Sequence, residues 1–328
     1  MPDLTSQDLK AKALGLGFDA CGVAPAGDLA ELRFFREWVD RGYAGDMEYL
    51  RRSKERRADV RHVLPSAKSV IVTATLYNVE RPYSTECADR GRAQIARYAW
   101  GDDYHDVIER RLDALLAWMR EISSEPFEAC RYVDTGPVQE RVYAQHAGLG
   151  WIGKNTCVIN PELGSWIFLG EIVSSLAIEP DPPAFDQCGM CALCLEACPT
   201  QALVAPGVLD ATRCISYLTI ERRGSIPEEF HRDVGSRIYG CDVCQEVCPW
   251  NQDAPVSADP SWQPRPAWDM KTTVELSQMS DAELGAALRG SAMRRAKLSG
   301  LRRNISVALA NVNAQATPED VGVKDISG

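Results

Sequence analysis

The sequence predicts an α+β protein made of three consecutive segments: a mixed α/β domain over residues 1–180, a cysteine-rich segment over 181–254 and a short helical segment over 255–328. Three observations predict this order. The first half combines helical apolar periodicity with runs of β-branched residues. Three prolines between positions 180 and 183 interrupt any regular element. Eight cysteines then fall between positions 188 and 248, and helical periodicity returns after them.

The first domain shows its elements in the local pattern of residues. Thr5 and Asp8 fit a capping box that opens a helix over residues 5–17, and Gly15 or Gly17 supplies its stop. Apolar residues at helical spacing predict a helix over 104–122. A run of β-branched residues predicts a buried strand over 68–77. The remaining predictions are helices over 29–39 and 137–147 and strands over 131–133, 155–160 and 166–178.

The third segment is predicted to be helical over 282–288 and 293–311, with a polar, frayed tail from residue 317.

Composition adds limits on location and partners. No run of about 18 uncharged apolar residues exists, and residues 1–8 lack the basic and apolar regions of a signal peptide, so we expect a cytoplasmic protein without a membrane partner. The net charge of −10 argues against broad, nonspecific nucleic-acid binding. Basic stretches at 51–57 and 294–303 are, from charge alone, better explained as solvated helix faces.

The cysteines carry the strongest chemical signal. Disulfides are rare in the reducing cytosol, so metal or redox chemistry is the better expectation. Cys188, Cys191, Cys194 and Cys198 have the CxxCxxCxxxCP spacing of bacterial ferredoxins, in which three cysteines hold one 4Fe-4S cluster and the fourth binds the other. We therefore predict a ferredoxin-like segment.

The second half of this pattern is incomplete. Cys241, Cys244 and Cys248 repeat the motif without its first cysteine, and Cys214, on a predicted helix between the halves, can replace it. The crossover rule then assigns Cys188, Cys191, Cys194 and Cys248 to cluster one and Cys198, Cys214, Cys241 and Cys244 to cluster two. Two zinc sites could also use eight thiolates, but zinc ribbons do not favour this run. The other four cysteines, Cys21, Cys87, Cys130 and Cys157, are interpreted as small apolar residues.

Other motifs are weaker. Residues 148–153 match GxGxxG, but a helix precedes and a strand follows, the reverse of a dinucleotide-binding unit, so NAD is rejected. These glycines more plausibly end a helix and let the backbone approach a large flat ligand. Asp134 follows a short strand, where catalytic groups are often placed, but a helix N-cap explains it better from the residues alone. The stretches 153–156 and 163–166 could line a cofactor pocket or be ordinary turns.

Six stretches taken together resemble the epoxyqueuosine reductase family: RYAWGDDYH, DTGPVQERVYAQHAGLGWIGKNT, GSWIFLGE, CGMCALCLEACPT, CISYLTIERRG and YGCDVCQEVCPWN. The resemblance runs from about residue 5 to about residue 312. It implies an iron–sulfur and cobalamin-dependent oxidoreductase that reduces epoxyqueuosine at the tRNA wobble position to queuosine, the last step of queuosine biosynthesis. It also implies a nitroreductase-like first domain that holds cobalamin beside the clusters, as in reductive dehalogenases.

The resemblance places Asp134 at the family's proton-donor position. The residues it expects to contact or approach the cofactor are Arg57, Tyr98, Asp134, Lys154, Asn155, Gly164, Ser165, Phe168, Leu169, Ser216, Tyr217, Cys241 and Asp242, with Arg56 at the same edge. It favours Lys297, Arg302 and Arg303 as contacts to tRNA phosphates. Many family members carry further C-terminal helical repeats that this sequence does not show, which leaves the grip on the anticodon stem-loop open.

These implications form a mechanistic hypothesis. Electrons from an external donor enter at the more exposed cluster and reach cobalt through the other, while Asp134 protonates the developing alkoxide. That role predicts an Asp134 pKa raised by partial burial. We expect a monomer. Two alternatives are kept: a cobalamin-dependent enzyme like the reductive dehalogenases, although no twin-arginine signal is present, and an electron-transfer iron–sulfur module without a tightly bound corrin.

Overall fold

The computed structural model describes residues 4–87, 89 and 91–315. The predicted tail from residue 317 and the first three residues used in the targeting argument lie outside the described residues. The strands are Ala20–Pro25 (β1), Ser69–Leu76 (β2), Gln94–Ile95 (β3), Ala129–Tyr132 (β4), Trp151–Ile152 (β5), Val158–Ile159 (β6), Ile167–Ser174 (β7), Leu203–Ala205 (β8), Val208–Leu209 (β9) and Arg237–Tyr239 (β10).

The α-helices are Ser6–Gly15 (α1), Phe34–Asp40 (α2), Glu48–Arg52 (α3), Tyr104–Ile122 (α4), Glu140–His146 (α5), Leu193–Ala197 (α6), His231–Val234 (α7), Val243–Glu246 (α8), Thr273–Gln278 (α9), Asp281–Leu288 (α10) and Lys297–Gln315 (α11). Short 3₁₀ turns cover Ala30–Arg33, Arg56–Ala58, Val60–His62, Ser84–Glu86, Arg97–Ala99, Ala211–Arg213, Glu228–Phe230, Pro249–Asn251, Pro260–Trp262 and Ala292–Ala296, and Tyr217–Glu221 forms a π-helix. The predicted α+β class is confirmed.

An antiparallel sheet in the order β1-β2-β7-β4 forms the centre of the first domain. Every residue of β2 is buried, and its side chains alternate between two cores. Ile71 packs on the face covered by α1 and α4, whereas Val70 and Val72 pack on the face covered by α5. The sheet is therefore buried on both faces, and its β7–β4 edge carries the candidate site.

The helix α4 confirms the prediction from periodicity. It spans the predicted range, and its buried side chains are the predicted ones: Val107, Ile108, Leu112, Leu115, Leu116 and Met119. Asp103 caps its first turn by accepting from the His105 backbone N–H at 3.2 Å. The predicted capping box of α1 is also present, since Thr5 and Asp8 exchange backbone and side-chain hydrogen bonds.

Packing is continuous across the three segments. The strand β10, from the cysteine-rich segment, pairs in parallel with β3 of the first domain. A third core joins residues of the first domain, such as Ile95, to Ile238 and to Leu301 of α11. Asn304 on α11 donates to the carbonyls of Thr219 and Ile238 at 2.7 and 2.8 Å. The C-terminal helices therefore pack against the cysteine-rich segment.

Several predicted elements differ from the structure. The helix predicted from residue 137 begins at Glu140, because Gln139 turns away to donate to the carbonyls of Leu32 and Arg57. The strand predicted over 155–160 is reduced to β6, because Thr156 has a left-handed φ of 68° and Asn155 forms a turn with the Cys157 amide. The helix predicted over 29–39 is split into a 3₁₀ turn and α2. That over 293–311 divides at Lys297, whose φ is 61°.

Cys214 is not on a helix. It lies in extended backbone between a 3₁₀ turn and the π-helix, which lets its side chain leave the chain at a bend. The strands β1, β3, β5, β8, β9 and β10 had not been predicted. Within residues 4–87, 89 and 91–315, no helix is both long and apolar enough to cross a bilayer.

Candidate functional site

The first cysteine motif forms a loop followed by the short helix α6. The Cys191 N–H donates to the Cys188 carbonyl at 3.1 Å, which closes a tight turn, and Cys194 lies on α6. Cys198 follows the last residue of α6 in extended conformation, so its thiol leaves in another direction. The Ala202 N–H donates to Cys198 Sγ at 3.2 Å. The local fold thus separates three thiols from the fourth.

Four thiols line one cavity with about 360 Å³ of empty space. They are Cys188, Cys191, Cys194 and Cys248, the set that the crossover rule assigns to cluster one. Burial and the charges of the other three thiols together raise the pKa of Cys194 to about 11, which places those thiols around it. Trp151 Nε1 donates to Cys188 Sγ at 3.4 Å. Cys191 is exposed, so this set opens toward solvent.

The remaining four predicted ligands form a second, deeper group. Burial raises the pKa of Cys241 to about 12, with Cys214 among the neighbouring charges. Burial also raises the pKa of Cys214, with Cys198 beside it, and that of Cys244, with Cys241 and Cys214 beside it. These relations join Cys198, Cys214, Cys241 and Cys244 into one set.

The donor chemistry fits two cubic clusters. Each set supplies four thiols from turns and short helices, and thiolates are the ligands that 4Fe-4S clusters require. Among the described residues, no three His, Cys, Asp or Glu side chains converge on the position of a single metal ion. The first set would hold the exposed cluster and the second set the buried one.

Cys157 lies between the two sets. Burial raises its pKa, and its charged neighbours include Arg141, Asp242, Cys194 and Cys214. After burial, the charge of Cys157 has the largest effect in raising the pKa of Cys244. The sequence-based interpretation of Cys157 as a small apolar residue did not foresee this position between the two cysteine sets.

Asp134 lies two residues after the end of β4. Its φ of 54° turns the chain out of the strand. The side chain is 56% exposed, although protein surrounds it closely enough for burial to act on its pKa, which is the geometry of a deep, open cleft. The charge of Arg141 acts on both Asp134 and Cys157, so this side chain lies between Asp134 and the second cysteine set.

The predicted direction of the Asp134 pKa is wrong. Burial raises the pKa of Asp134, but donors on His105 and Tyr104 and the charge of Arg141 outweigh burial and leave it below the ordinary value. His105 Nε2 lies 3.6 Å from Asp134 Oδ2. A nearby cation stabilises the charged form of a carboxylate. At neutral pH the proton of the His105–Asp134 pair therefore lies on the imidazole.

His105 is the partner that the sequence analysis missed. Its Nδ1 lies 2.7 Å from Asp103 Oδ1, and Asp103 also pairs with Arg294 Nε at 3.2 Å. Burial lowers the pKa of His105, but its hydrogen bond to Asp103 and the nearby Asp134 carboxylate outweigh burial and raise the pKa to about 9. The signal was present in the stretch 97–105, where Asp103 and His105 lie one residue apart at the start of α4.

Two more carboxyls stand behind Asp134 and were also missed. Glu140 opens α5, and the Asp134 backbone amide donates toward its carboxylate. Glu171 lies on β7 directly opposite Tyr132 of β4, two residues before Asp134. Its side chain is 1% exposed, and Oε1 has no partner among the described residues. A glutamate in the middle of an otherwise apolar strand was the available signal.

Arg57 joins this group, as the resemblance implied. It donates to the Val138 carbonyl at 2.9 Å and faces Glu140, Asp134 and Glu171. Burial lowers its pKa, and the facing carboxylates oppose that effect. The Arg57 guanidinium therefore lies near Asp134 and is held there by its hydrogen bond to the Val138 carbonyl.

The expected corrin-facing residues divide by location. Tyr98 donates from its hydroxyl to Tyr239 Oη at 3.2 Å. The Phe168 ring is 7% exposed and stacks on Tyr104 at 4.5 Å, so it supports that ring from the core and does not face a ligand. Leu169 lies on the opposite face of β7, on the side of Glu171.

Lys154 and Asn155 contact the cysteine segment. Lys154 Nζ donates to the carbonyls of Gly189 and Cys191 at 2.6 and 2.8 Å, and Asn155 Nδ2 donates to the Cys244 carbonyl at 3.2 Å. These two side chains thus connect the GKNT turn to both cysteine motifs.

Gly164 and Ser165 lie against the residues that follow the last cysteine. The Ser165 N–H donates to Asn251 Oδ1 at 2.7 Å, and Asn251 Nδ2 donates back to Ser165 Oγ at 2.8 Å. A Cβ on Gly164 would lie 2.3 Å from Asn251 Oδ1, and its φ is 70°, so only glycine fits there. Gly150 of the GxGxxG stretch is restricted to glycine for a similar reason. A Cβ there would lie 2.3 Å from the carbonyl oxygen of Ile159 in β6, so its close contact is with the protein backbone and not with a ligand.

The last expected contacts lie near Cys214 and Cys241. The Ser216 hydroxyl and amide face the Cys214 thiol. Tyr217 is 4% exposed and accepts from the Asp46 N–H at 2.8 Å, so its side chain is internal. Asp242 accepts from the Arg97 N–H at 2.6 Å, and burial raises its pKa to about 7.

Two of the three expected phosphate contacts have structural roles. Arg302 pairs with Asp281 and donates to the Met279 carbonyl. Arg303 donates to the carbonyls of Arg222, Gly224 and Leu218. Their guanidinium groups tie α11 to neighbouring backbone, which favours a structural role, and their contact with phosphate stays a prediction. Lys297 and Arg56, in contrast, are exposed.

Comparisons with known proteins match both parts of this site. Residues 57–135 match the family profile "Epoxyqueuosine reductase QueG, DUF1730" and residues 187–251 match "4Fe-4S double cluster binding domain". Epoxyqueuosine reductase of Gloeobacter violaceus is 44% identical over 93% of this chain and 96% of its own length. That of Vibrio cholerae is 38% identical over 93% and 83%. The second profile confirms the predicted double-cluster segment.

Solved structures agree. An epoxyqueuosine reductase crystallised with an epoxyqueuosine-modified tRNA stem loop superposes with a TM-score of 0.82 at 33% identity, covering 93% of this chain and 81% of that chain. The Bacillus subtilis enzyme, solved with an aspartate-containing catalytic loop swung out of its active site, gives 0.82 at 32% identity over 98% and 86%. This chain belongs to the epoxyqueuosine reductase family of oxidoreductases.

Proposed function

We propose that this protein reduces epoxyqueuosine at the wobble position of tRNA to queuosine, using two 4Fe-4S clusters and cobalamin. One observation carries the proposal. Asp134, an accessible acid, shares a single cleft with the buried cysteine set, so a proton source and an electron source face the same space. Relatives named for this reaction cover nearly the whole chain.

Cobalamin fits the cleft between Asp134 and the second cysteine set. In this proposal Arg141 lies along that space, and Leu169, Ser216, Cys241 and Asp242 border it. When bound, cobalamin supplies a low-valent cobalt able to reduce a carbon–oxygen bond. The protein residues orient the ligand and exclude competing chemistry. Lys154, Asn155, Gly164 and Ser165 hold the cysteine motifs against the first domain and so fix the width of this space.

The chain supplies the proton through a pair. At neutral pH, His105 carries the proton and Asp134 faces the cleft as a carboxylate, because the pKa of His105 is raised to about 9. As the epoxide opens, the alkoxide takes a proton from the Asp134–His105 pair. Asp103 holds the imidazole by Nδ1, so Nε2 always points toward Asp134.

The first set would hold the cluster that accepts electrons from the donor, and the second set the cluster that would supply them to the site beside Asp134. Cys191 of the first set is exposed, which suits contact with an external low-potential donor. The thiols of the second set are enclosed and lie beside the cleft. The protein acts in the cytoplasm, where its tRNA substrate is found, and works as a monomer.

The tRNA stem loop lies across the rim of the Asp134 cleft. Arg294 is 63% exposed and reaches the rim through Asp103, and Arg295 packs over the Tyr49 ring at 5.2 Å. Arg56 and Lys297 extend this positive rim. Phosphates would contact Arg56, Arg294 and Lys297 while the wobble base enters the cleft. Arg295 is already paired with Glu221 at 2.8 Å and would support this rim from behind. The relative crystallised with a modified tRNA stem loop supports this mode of binding.

The test is a reconstituted reaction. Anaerobically prepared protein, loaded with iron, sulfide and cobalamin, is mixed with an epoxyqueuosine-containing stem loop and a strong one-electron reductant, and the nucleosides are measured by mass spectrometry. We expect queuosine to replace epoxyqueuosine, with cobalamin absorbance bands in the purified complex. Failure to bind cobalamin would support an electron-transfer module, and reduction of an aryl halide but not of the epoxide would support a dehalogenase. Either result overturns the proposal.

A further inference from the structure

The proposed reaction needs two protons for each turnover. Converting the epoxide to an alkene breaks both bonds from carbon to the bridging oxygen and forms one carbon–carbon double bond. Two electrons enter from the clusters, and the oxygen leaves as water after taking two protons. The Asp134–His105 pair holds one of them. This inference therefore rests on the proposed function and asks where the second proton is kept.

A second acid stands directly behind Asp134. The Asp134 backbone amide points at the Glu140 carboxylate, and Glu171 lies beside both on the neighbouring strand. Glu171 is 1% exposed with one carboxyl oxygen unpartnered among the described residues. A buried carboxyl without partners for both oxygens is stable only when protonated. The strand register places this proton on the Asp134 side of the sheet.

We propose that Glu140 and Glu171 hold one proton in common and pass it to Asp134, so that the site delivers both protons that the departing oxygen needs. They act through Asp134 and are therefore positioning residues. The order is Glu171, then Glu140, then Asp134. After turnover the pair takes a proton back from solvent through the open cleft.

The surrounding charges agree with a shared proton. Glu140 is faced by Asp134, Arg141, Arg57 and Tyr104, and Glu171 by Glu140, Asp134 and Arg57. Three carboxyls thus face two guanidinium groups, and the third negative charge is unfavourable. Burial and the Asp134 charge raise the pKa of Glu140 to about 7, and burial and the Glu140 charge raise that of Glu171 well above its ordinary value. An alternative role for Glu140 is a favourable interaction of its charge with the N-terminus of α5. That role would explain where Glu140 lies, but it would not explain why Glu171 is buried beside it.

The test uses Glu171→Gln and Glu140→Gln in the fully loaded enzyme, with the exposed Glu162→Gln as matched control. Glutamine keeps shape and burial but cannot carry the proton. We expect kcat to fall about 10- to 100-fold in each test variant, within the range of general-acid effects. Iron content, cobalamin content and KM for the stem loop should stay unchanged. Unchanged kcat in both variants would overturn the inference.

The pH profile separates this role from a structural one. In the wild-type enzyme, kcat should fall as pH rises above about 7, because the Glu140–Glu171 pair titrates as a unit and loses the proton that it shares. The control should show the same fall, whereas each test variant should lack it. A Glu140→Asp variant should restore it in part. Test variants that are slow but keep the wild-type profile would show that the glutamates only support the fold, and the inference would fail.

An activity-independent measurement completes the test. Infrared difference spectra between pH 6 and pH 8 of the loaded enzyme without RNA should contain a protonated-carboxyl band that Glu171→Gln removes and Glu162→Gln keeps. A band that persists in both Glu171→Gln and Glu140→Gln contradicts the shared proton. A wild-type enzyme that never converts epoxyqueuosine would refute the proposed function instead. The infrared band would still show whether the two glutamates share a proton.

Discussion

Trp151 Nε1 donates a hydrogen bond of 3.4 Å to Cys188 Sγ, and the indole is 1% exposed. The bond links the β5 strand of the first domain to a predicted ligand of cluster one. Hydrogen bonds to ligand sulfurs stabilise the more negative, reduced cluster and so raise its potential.

Replacing Trp151 with Phe should lower the potential of cluster one. A hydrogen bond to a charged group contributes about 1.5 kcal/mol, which corresponds to about 60 mV for one electron. Potentiometric titration followed by electron paramagnetic resonance measures the shift. Trp250→Phe is the control, because its ring packs edge-on against Trp151 at 4.9 Å. Equal potentials in Trp151→Phe and wild type would contradict the proposed role of the bond.

Cys214 and Cys157 provide a sharp test of the ligand assignment. Both thiols are half-buried and lie near Cys244, but only Cys214 belongs to the predicted set of eight. Cys214→Ser should reduce the iron content of reconstituted protein from about eight to about four atoms, since each cube holds four irons. Cys157→Ser should keep about eight. Loss of one cluster in Cys157→Ser, with both retained in Cys214→Ser, would reverse the assignment.

Asp134→Asn should reduce turnover by about 100-fold or more, because an amide cannot relay the proton from His105. Iron and cobalamin contents should match those of the wild type. Asp102→Asn is the matched control, since that carboxylate is exposed and lies at the turn before α4. Single-turnover rates measured by quenched mass spectrometry would refute the role of Asp134 if they remained near wild type.

The raised pKa of His105 predicts a pH-dependent contribution to stability. The folded pKa is about 9 and the unfolded value about 6.5, so the stabilisation is complete below about pH 6.5 and is lost as pH rises through about 9. Its size is about 1–3 kcal/mol, since the facing Asp134 is partly solvated. His105→Gln should therefore lower the unfolding temperature at pH 6 and have little effect at pH 9.5. A difference that is constant across this range would contradict the ion pair.

Arg303 and Lys297 should separate stability from RNA binding. Arg303→Ala removes donors from three backbone carbonyls and should cost about 2–4 kcal/mol of unfolding free energy, because those carbonyls become unsatisfied. Lys297→Ala should leave stability unchanged and weaken stem-loop binding, with a smaller dependence on salt. Fluorescence anisotropy and thermal unfolding of both variants measure the two effects. Opposite results would return Arg303 to the RNA surface.

Sequence patterns predicted the elements that depend on local spacing. The α4 core, the α1 capping box and the double-cluster segment follow from periodicity and motif spacing alone. Patterns could not show that Asp103, His105 and Asp134 meet, because the first two lie at the start of α4 and the third follows β4. They also could not show that Arg303 binds backbone carbonyls, since charge gives no information about partners. The pKa direction of Asp134 depended on His105 and was wrong for that reason.

The reciprocal hydrogen bonds between Ser165 and Asn251, with Gly164 pressed against the same amide, have a consequence for how such a protein can change over generations. Substitution on either side leaves the opposite side with a clash or a lost donor. Recombination that exchanged the cysteine-rich portion alone would have to bring a compatible glycine–serine pair with it. The two portions are therefore expected to be inherited together.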